Sequence, residues 1–363
     1  MIESQTYSKK RIAKNHSCLK KSNRNVRSNC SGNSTQNCEK SCYHLRKCKC
    51  ILIFIDLRMD SCKQAYLIQA HEQPELLVRL VERLDSEVSY FYIHVDSKAK
   101  KQFMTDLAVQ NLINKPNVVF TKSINVRWAD ISQCESIIIL LRAVNENKDL
   151  DRIHFISGTD YPIKSKQEFN RFFLNNPHDY ISYVPAESET CKRLVNHYYF
   201  VYGRNSRAKF KYSWQYYIAW LAQKTSAFLS EYLGLPIRKP FSIKYYHGQC
   251  WFSIKPETAS LILRYLDDNP CLLNRFKYTA SSDESLFIMI MMANDEIRKN
   301  IVNDGLRLKN PDGTLFRGGP ALELKDLDRI KKNSAFFARK FDLHKSKDLM
   351  DQIDIQILGI NAE

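Results

Sequence analysis

Glycine is scarce in this chain, and its scarcity counts against two large classes of nucleotide-binding enzyme. Only ten of the 363 residues are glycine, no Gly-x-Gly-x-x-Gly follows the first predicted strand, and no Walker-type loop occurs. Dinucleotide and P-loop enzymes use those glycines because their backbone must approach the phosphates closely. We therefore expect neither class.

Long apolar runs and zinc-type cysteine pairs are missing as well. The apolar run 51–55 is far too short to span a bilayer, and Asp56 and Arg58 close it. The cysteines of the range 38–50 contain no Cys-x2-Cys pair, so zinc binding there is disfavoured. Four later cysteines stand apart in the sequence and are expected to be free thiols in a reducing compartment. They are Cys134, Cys191, Cys250 and Cys271.

The chain does contain a strongly basic amino-terminal segment. Residues 1–58 carry thirteen Lys/Arg against three Asp/Glu, so they hold +10 of the formal net charge of +16. They are rich in Ser, Asn, Lys and Cys and cannot bury enough apolar surface to fold alone. We expect residues 1–58 to be a disordered tail or a misread upstream region, and residues 59–363, beginning at Met59, to form a single catalytic domain.

A β-α-β unit opens that domain. Residues 65–71 form a predicted strand, apolar residues recur at helical spacing over 74–84, and residues 90–96 form a second strand. Such a unit belongs to a parallel sheet, whose ligands lie outside the carboxyl ends of the strands. His71 and Asp96 end these two strands. They are either an ordinary loop histidine and a helix cap or, since two strand ends converge, part of one crevice.

The remaining body continues the α/β pattern. Further strands are predicted at 118–120, 179–184 and 245–254, and helices at 131–144 and 256–266. Residues 153–163 are predicted to be a strand that runs into a turn, where Gly158 permits a backbone that other residues resist and Pro162 ends the strand pairing. Aromatic and basic residues alternate over 193–246. Such a stretch can stack on nucleic-acid bases or sugar rings, but helices that pack on a core are the commoner explanation. Its aromatic residues include Tyr212, Trp214, Tyr216, Tyr217 and Trp220.

Two adjacent carboxylates precede an almost wholly apolar segment. Asp283 and Glu284 come directly before residues 286–292, and Ser281 or Ser282 can cap a helix there. The spacing alone favours a charged helix N-terminus, because the helix dipole attracts anions. The competing interpretation is that Glu284 is a catalytic base at the rim of a cleft.

Seven short segments occur along the chain in a characteristic order. They are Ala65–His71, Tyr92–Asp96, Trp128, Ser157–Lys164, Gly248–Phe252, Asp283–Phe287 and Phe337–Asp342. Together they resemble the core-2/I-branching β-1,6-N-acetylglucosaminyltransferases and the peptide O-xylosyltransferases, over about residues 63–355. The body looks like the bacterial members of that family.

The resemblance implies an α/β fold of the GT-A type, with a Rossmann-like, mostly parallel central sheet flanked by helices. It also implies inverting transfer from a UDP-sugar, with Glu284 as the catalytic base and no divalent metal or other cofactor. The donor-binding residues that it implies are His71 and Asp96 at the uridine, Gln69 beside them, Arg127 and Trp128 on the donor side, and Trp251 at the sugar. Arg317, Arg339 and Lys340, in the C-terminal segment 305–345, match the cations that hold the diphosphate, and Arg193 matches an acceptor-binding arginine.

Fixed cations can stabilise a diphosphate leaving group in place of a metal. The Asp-x-Asp segment 149–151 precedes a strand, and the segment 326–328 lies in a charged helix. Neither is therefore expected to bind a metal. Two segments depart from the family pattern. Residues 307–311 read Arg-Leu-Lys-Asn-Pro where many relatives have Arg-Tyr-x-Asp-Trp, and Ala129-Asp130 replaces a glycine pair after Trp128.

The sequence therefore predicts an inverting, metal-independent glycosyltransferase acting on a glycan or glycopeptide acceptor. N-acetylglucosamine is the first expectation for the transferred sugar, and xylose is the alternative. We expect a cytoplasmic protein or one peripheral on the inner face of the cytoplasmic membrane. A basic nucleic-acid-binding protein is the rival class, but residues 59–363 carry 42 Lys/Arg and 36 Asp/Glu, too even a balance for it. An inactive, carbohydrate-binding relative is the third possibility.

Overall fold

A seven-stranded sheet organises the computed structural model of the chain. The structure describes residues 61–184, 187, 194, 197–200, 214–235, 238, 241, 243–309 and 319–360. The expectations for residues 1–58, Arg193 and Arg317 lie outside these residues. The described residues belong to one compact unit, Ser61–Glu363.

The strands alternate with helices along most of the chain. The strands are β1 (Gln64–Ala70), β2 (Ser89–Val95), β3 (Val118–Phe120), β4 (Arg152–Ser157), β5 (Asp160–Pro162), β6 (Asp179–Val184), β7 (His247–Ile254), β8 (Ile301–Asn303), β9 (Arg307–Lys309) and β10 (Phe337–Arg339). The helices are α1 (Pro74–Leu84), α2 (Lys100–Thr105), α3 (Leu107–Ile113), α4 (Ile131–Asn145), α5 (Lys166–Phe173), α6 (Trp214–Tyr232), α7 (Pro256–Asp268), α8 (Cys271–Phe276), α9 (Leu286–Ala293), α10 (Asp295–Arg298), α11 (Leu327–Lys331) and α12 (Lys347–Ile353).

The large sheet has the strand order β3-β2-β1-β4-β7-β6-β8. All its neighbours pair in parallel except β7, which runs antiparallel to both β4 and β6. Parallel strands are joined by crossover helices and are buried on both faces. The prediction of an α/β fold with a mostly parallel central sheet flanked by helices is therefore confirmed.

Successive side chains of β1 enter different cores, as the strand pleat requires. Leu67 packs in a core with α4, α7 and α9 on one face of the sheet. Ile68 packs in a second core with α1, α3 and α5 on the other face. Each face is thus sealed by helices, so ligands reach the sheet only at its ends. Within the described part of the chain, no helix is long and apolar enough to cross a bilayer.

A small second sheet, of order β5-β10-β9, stands at the carboxyl end of β4. The predicted strand that runs into a turn within 153–163 is confirmed, since the chain turns between Ser157 and Asp160. The Asp160 carboxylate accepts a hydrogen bond from the Ser157 N–H at 3.0 Å and closes that turn. Asp160 then begins β5, which pairs antiparallel with β10.

The predicted serine cap of the helix after Glu284 is also wrong. Asp283 and Glu284 lie in a separate 3-10 turn, Ser282–Glu284, and α9 begins only at Leu286. The Ser282 hydroxyl donates to the carbonyls of Phe276 and Thr279, at 3.0 and 2.9 Å, instead of accepting from a helix N–H. These bonds hold the carboxylate turn against the preceding loop.

Candidate active site

Polar and charged side chains cluster at the carboxyl ends of β1 and β2, the place of the predicted crevice. His71 and Asp96 follow these strands directly, and the Asp96 N–H donates to the Ala70 carbonyl at 2.9 Å. The Asp96 carboxylate contacts the Lys98 ammonium at 3.0 Å. His71 also lies within electrostatic range of Asp96, Lys98 and Lys340. The structure thus brings the two strand-end residues together with a cation of the distant C-terminal segment.

Gln69 supports this crevice from within the sheet. Its side chain donates to the Ser136 hydroxyl of α4 at 2.8 Å, and its carbonyl accepts from the Gly158 N–H at 2.9 Å. A Cβ added at Gly158 would lie 3.2 Å from the Ala70 Cβ, tighter than ordinary contact. Glycine therefore lets the β4–β5 turn approach the end of β1 closely.

Arg339 is the most firmly positioned cation of the crevice. Its Nε lies 3.3 Å from an oxygen of the fully buried Asp160 carboxylate, and its guanidinium carbon stands 4.0 Å from the centre of the Trp251 ring. Trp251 is itself buried and stacks on Phe155 at 5.0 Å between centroids. The predicted sugar-site residue Trp251 therefore acts here as a platform for the cation.

Two lysines extend the positive charge on either side of Arg339. Lys340 follows it in the chain, and Lys309 is its register partner on β9. Loss of hydration and repulsion by Arg339 lower the pKa of both lysines, while nearby carboxylates oppose the shift. Three cations held this close together favour an anionic ligand that neutralises them.

The carboxylate turn lies within electrostatic range of two of these cations, Lys309 and Arg339. Burial, followed by the charge of Asp283, raises the pKa of Glu284, and Lys309 and Arg339 act in the opposite direction. Burial likewise raises the pKa of Asp283. Asp283 is almost fully buried, whereas 39% of the Glu284 side chain is exposed. Glu284 is therefore the carboxylate that a substrate can reach.

A chain of polar groups leads from the core to Glu284. The Tyr245 hydroxyl lies 2.8 Å from the Ser285 hydroxyl, which lies 3.1 Å from His247 Nδ1. His247 Nε2 then stands 3.5 Å from a Glu284 carboxylate oxygen. Burial lowers the pKa of His247 to about 4, so the ring is neutral at ordinary pH. A neutral ring that accepts from Ser285 at Nδ1 presents its Nε2–H to Glu284.

Glycine at position 248 lets His247 take this place. A Cβ there would lie 1.9 Å from the Ser182 carbonyl of β6, so only glycine fits at the irregular pairing between these strands. The close approach of β6 and β7 fixes the start of β7, where His247 stands.

Arg127 and Trp128 lie in the exposed turn before α4. Gln133, one turn into that helix, accepts from the Ala129 N–H and donates to an Asp283 oxygen at 3.3 Å. Gln133 therefore connects the turn that carries the predicted donor-side residues to the carboxylate turn. Ala129 occupies the left-handed region with φ of 59°, where the family has glycine by resemblance.

Sequence reasoning missed three residues of this site: His247, Gln133 and Lys309. His247 lies directly before the recognised segment Gly248–Phe252, so a histidine at the start of a strand was the available signal. Gln133 lies on α4, and the periodicity of that helix gives no sign of a functional residue. Lys309 falls in the segment that departs from the family pattern, and only the strand pairing of β9 with β10 places it beside Arg339.

Neither Asp-x-Asp segment lies at the carboxyl end of a strand, as expected. Asp149 and Asp151 both contact Lys63, at the amino ends of β1 and β4. Asp326 ends a 3-10 turn and pairs with Arg329 at 2.9 Å. Among the residues that the structure describes, no three His, Cys, Asp or Glu side chains converge as metal ligands would. Metal independence stays a prediction.

Comparisons with known proteins identify the family. Residues 64–321, about seven-tenths of the chain, match the model of the Core-2/I-branching enzymes. The chain is 26% identical over 118 residues to a probable β-1,3-galactosyl-O-glycosyl-glycoprotein β-1,6-N-acetylglucosaminyltransferase 7 of Sus scrofa. That match covers 32% of this chain and 27% of the pig protein, so the chain spans about a quarter of its relative's length.

Solved structures of glycosyltransferases show a distant likeness. A galactosyltransferase LgtC bound to donor and acceptor sugar analogues aligns at 10% identity and a TM-score of 0.37, over 77% of this chain and 88% of LgtC. The bifunctional glycosyltransferase WbbM aligns at 12% identity and a TM-score of 0.32, over 77% and 46% of the two chains. It is the match of the family model over most of the chain that decides the assignment: this chain belongs to the Core-2/I-branching enzyme family.

Proposed function

We propose that the chain is an inverting glycosyltransferase that moves a sugar from a UDP-sugar to a hydroxyl of a glycan or glycopeptide acceptor. The observation that carries this proposal is that Glu284 lies within electrostatic range of Lys309 and Arg339, with Lys340 next to Arg339 in the chain. A reachable carboxylate with a raised pKa suits a general base, and clustered cations suit a diphosphate.

In the proposed step the acceptor oxygen attacks the anomeric carbon from the face opposite the diphosphate. Glu284 takes the proton of that hydroxyl as the new C–O bond forms. The bond from the anomeric carbon to the diphosphate oxygen breaks, and its electron pair leaves with UDP. Because attack and departure occur on opposite faces, the anomeric configuration inverts.

The fixed cations stabilise the charge that develops on the leaving diphosphate. Arg339 is pre-oriented by Asp160 and Trp251, so little reorganisation accompanies the reaction. Lys309 and Lys340 add point charges on either side of it. We propose on this basis that transfer proceeds without a divalent metal. His71 and Asp96, at the far end of the cation group, would then contact the uridine.

N-acetylglucosamine is the first candidate for the transferred sugar. The pig relative is named as an N-acetylglucosaminyltransferase, which supports that choice. Xylose is the second candidate, because the Asp283–Phe287 and Phe337–Phe341 segments look somewhat closer to the xylosyltransferase branch of the family. Both candidates use the same base and the same cations.

A donor screen tests the proposal. The purified full chain is incubated with UDP-N-acetylglucosamine, UDP-xylose, UDP-galactose or UDP-glucose and a panel of oligosaccharide and glycopeptide acceptors, and UDP release is measured. We expect release from one donor that depends on the acceptor and is unchanged by EDTA.

Two results would contradict the proposal at different points. UDP binding without turnover, across every donor and acceptor, would identify a carbohydrate-binding relative instead of an enzyme. Activity that requires added Mn²⁺ would retain the transferase and overturn metal-free catalysis.

A further inference from the structure

A cavity lies at the amino end of the large sheet, opposite the strand ends that carry the candidate active site. Its volume is about 370 Å³, which is within the range of small-molecule sites. It is lined by the first residues of β1 and β2, by the end of α1, and by α5 with the loop before it. The seven residues of β1 span about 20 Å, so this amino-end cavity is separate from the active site.

The described side chains that line the amino-end cavity carry positive charge and no negative charge. None of them is a carboxylate, and the four cations are Arg83, Lys164, Lys166 and Arg171. Three of the cations belong to the segment 164–171, and Arg83 reaches the same space from the end of α1. Four cations around one space repel one another, so an anionic ligand between them is favoured.

Three of these cations have no close carboxylate to neutralise them. Lys164 keeps only 19% of its side chain exposed, yet its ammonium meets only one carboxylate oxygen of Glu168, at 4.0 Å. The other oxygen of Glu168 accepts from the backbone and hydroxyl of Ser165 and so caps α5. Within the described part of the chain, no carboxylate lies within 4.0 Å of the Lys166 or Arg171 side chain.

Arg83 is the paired member of the group. Its Nε lies 2.8 Å from the buried Asp354 carboxylate, and its Nη1 lies 3.5 Å from Glu82. Lys166 stands near it and donates to the Asp85 carbonyl. Loss of hydration lowers the pKa of Lys166, and neighbouring cations, Arg83 among them, act in the same direction against the Asp85 carboxylate. An anion in the cavity would therefore stabilise the charged form of Lys166.

A buried hydroxyl and apolar side chains complete the lining. Tyr66 is only 2% exposed, and its hydroxyl lies 3.4 Å from Gln64 Oε1, longer than an ordinary O–H···O bond. That oxygen is also 3.0 Å from His154 Nε2, which competes for it. The Tyr66 hydroxyl is therefore available to donate to a ligand. Leu84 and Phe169 add apolar surface to the same wall.

We propose that the amino-end cavity binds a phosphate ester of a small organic molecule. Lys164, Lys166 and Arg171 contact the phosphate oxygens, which accept several charge-assisted hydrogen bonds at once. Tyr66 and the apolar wall contact the organic part. A carboxylate ligand is a poorer match, because it brings a single negative charge to four cations. This binding does not depend on sugar transfer, so the two proposals are tested separately.

Calorimetric titration of the full chain tests the proposal. The charged probes are glycerol 3-phosphate and glucose 6-phosphate, and glycerol and glucose are the uncharged controls. We expect at least one phosphate to bind about tenfold more tightly than its uncharged control. Lys164→Gln/Lys166→Gln should weaken that binding about tenfold while preserving the thermal unfolding midpoint. Lys299→Gln/Lys325→Gln removes the same charge from exposed lysines outside the cavity and should bind as the original chain does.

Single variants separate the cavity from other sites. Tyr66→Phe removes only the buried hydroxyl and should weaken binding about threefold, an effect that a diffuse surface attraction would not show. Arg171→Gln changes an exposed arginine and repeats the test if the double lysine variant does not fold. Lys340→Gln changes the proposed diphosphate site and should leave the affinity unchanged. Loss in Lys340→Gln alone, or equal loss in the two double variants, would overturn the proposal.

Vesicles distinguish the two sources of a phosphate ester. If vesicles containing phosphatidylglycerol bound the chain, neither soluble phosphate did, and the double variant Lys164→Gln/Lys166→Gln abolished the binding, the ligand would be a lipid headgroup. Absence of binding to the soluble phosphates and to the vesicles would reject the site. None of these outcomes bears on UDP release, because the amino-end cavity and the proposed transfer site lie at opposite ends of β1.

Discussion

Arg307 and Arg339 lie on adjacent strands of the small sheet, yet their side chains make different kinds of contact. Arg307 is buried and donates four hydrogen bonds within the protein, at 2.7 to 3.1 Å. Its acceptors are the Ser253 hydroxyl and the carbonyls of Gly305, Phe155 and Phe252. Arg339 contacts one protein anion, Asp160, through Nε and stacks on Trp251.

The difference shows how one small sheet can join the fold through one arginine and present another to the proposed diphosphate site. Arg307 reaches β4 and β7, so it ties the small sheet to the large one. Arg339 directs its guanidinium toward the crevice, where Lys340 and Lys309 lie beside it. A guanidinium that binds carbonyls serves stability, whereas one oriented through Nε alone keeps its paired N–H groups for a bidentate anion.

The largest expected effect concerns the carboxylate that faces these cations. Glu284→Gln removes the proposed base and keeps its shape, so transfer should fall by about 10²- to 10⁴-fold. UDP affinity should stay nearly unchanged, because the cations bind the diphosphate. UDP release and calorimetric titration with UDP measure the two quantities. Turnover near that of the original chain would remove Glu284 from the role of base.

Arg307→Lys should cost the most stability. The lysine ammonium cannot reproduce the hydrogen bonds of the Arg307 guanidinium, so buried carbonyls lose their donor. The free energy of unfolding should therefore fall by about 2–3 kcal/mol. Urea unfolding followed by circular dichroism measures this. A change below about 0.5 kcal/mol would show that the bonds of Arg307 do not join the two sheets.

The same substitution at position 339 should have the opposite profile. Arg339→Lys keeps a cation beside the buried Asp160, so stability should change by less than about 0.5 kcal/mol. UDP affinity should weaken about tenfold, because lysine lacks the bidentate fork. Arg307→Lys is the matched control, and its folded fraction should bind UDP normally. If both variants lost stability and neither lost UDP affinity, the proposed difference in role between the two arginines would be wrong.

The smallest effect is expected at His247. Its Nε2–H favours the ionised form of Glu284, so His247→Phe should raise the pKa of Glu284 further. Activity requires the ionised base and therefore rises with pH through that pKa, which already lies above the ordinary value of about 4.3 for glutamate. The acidic limb of kcat/KM should move upward by about half a pH unit.

The other groups facing Glu284 are unchanged in this variant. They are Ser281, Asp283, Cys250, Lys309 and Arg339. Tyr246→Phe, one residue earlier, is the control and should leave the pH profile in place. If the acidic limb of kcat/KM did not move in His247→Phe while kcat/KM itself fell, His247 would act only in packing.

Local sequence predicted much of the fold. The β1-α1-β2 unit appears at nearly its predicted bounds, because buried parallel strands and an amphipathic helix have distinct periodicities. The turn after β4 was predicted, but the pairing of β5 with β10 was not, because β10 is distant in sequence. The exposure of Trp214, Leu221 and Phe228 on α6 was not predicted either, because apolar spacing alone indicates a core-facing helix.

Local sequence likewise predicted one part of the site and missed another. His71 and Asp96 were placed in one crevice from strand order alone, since neighbouring parallel strands end at one edge. His247 and Lys309 were not found. The irregular β6–β7 pairing places His247 near Glu284, and the β9–β10 pairing places Lys309 beside Arg339. The expected roles of Arg193 and Arg317 concern residues outside the described part of the chain.

The sequence by itself determined the α/β class, the order of the main strands and the family to which the chain belongs. These follow from periodicity and from segments that are local in the chain. Only the tertiary structure decided that Glu284 is more exposed than Asp283, that Arg307 rather than Arg339 is bound to the large sheet, and that Trp214 and Leu221 of α6 are exposed. Burial and hydrogen-bond partners come from elements distant in sequence, so no local pattern contains them.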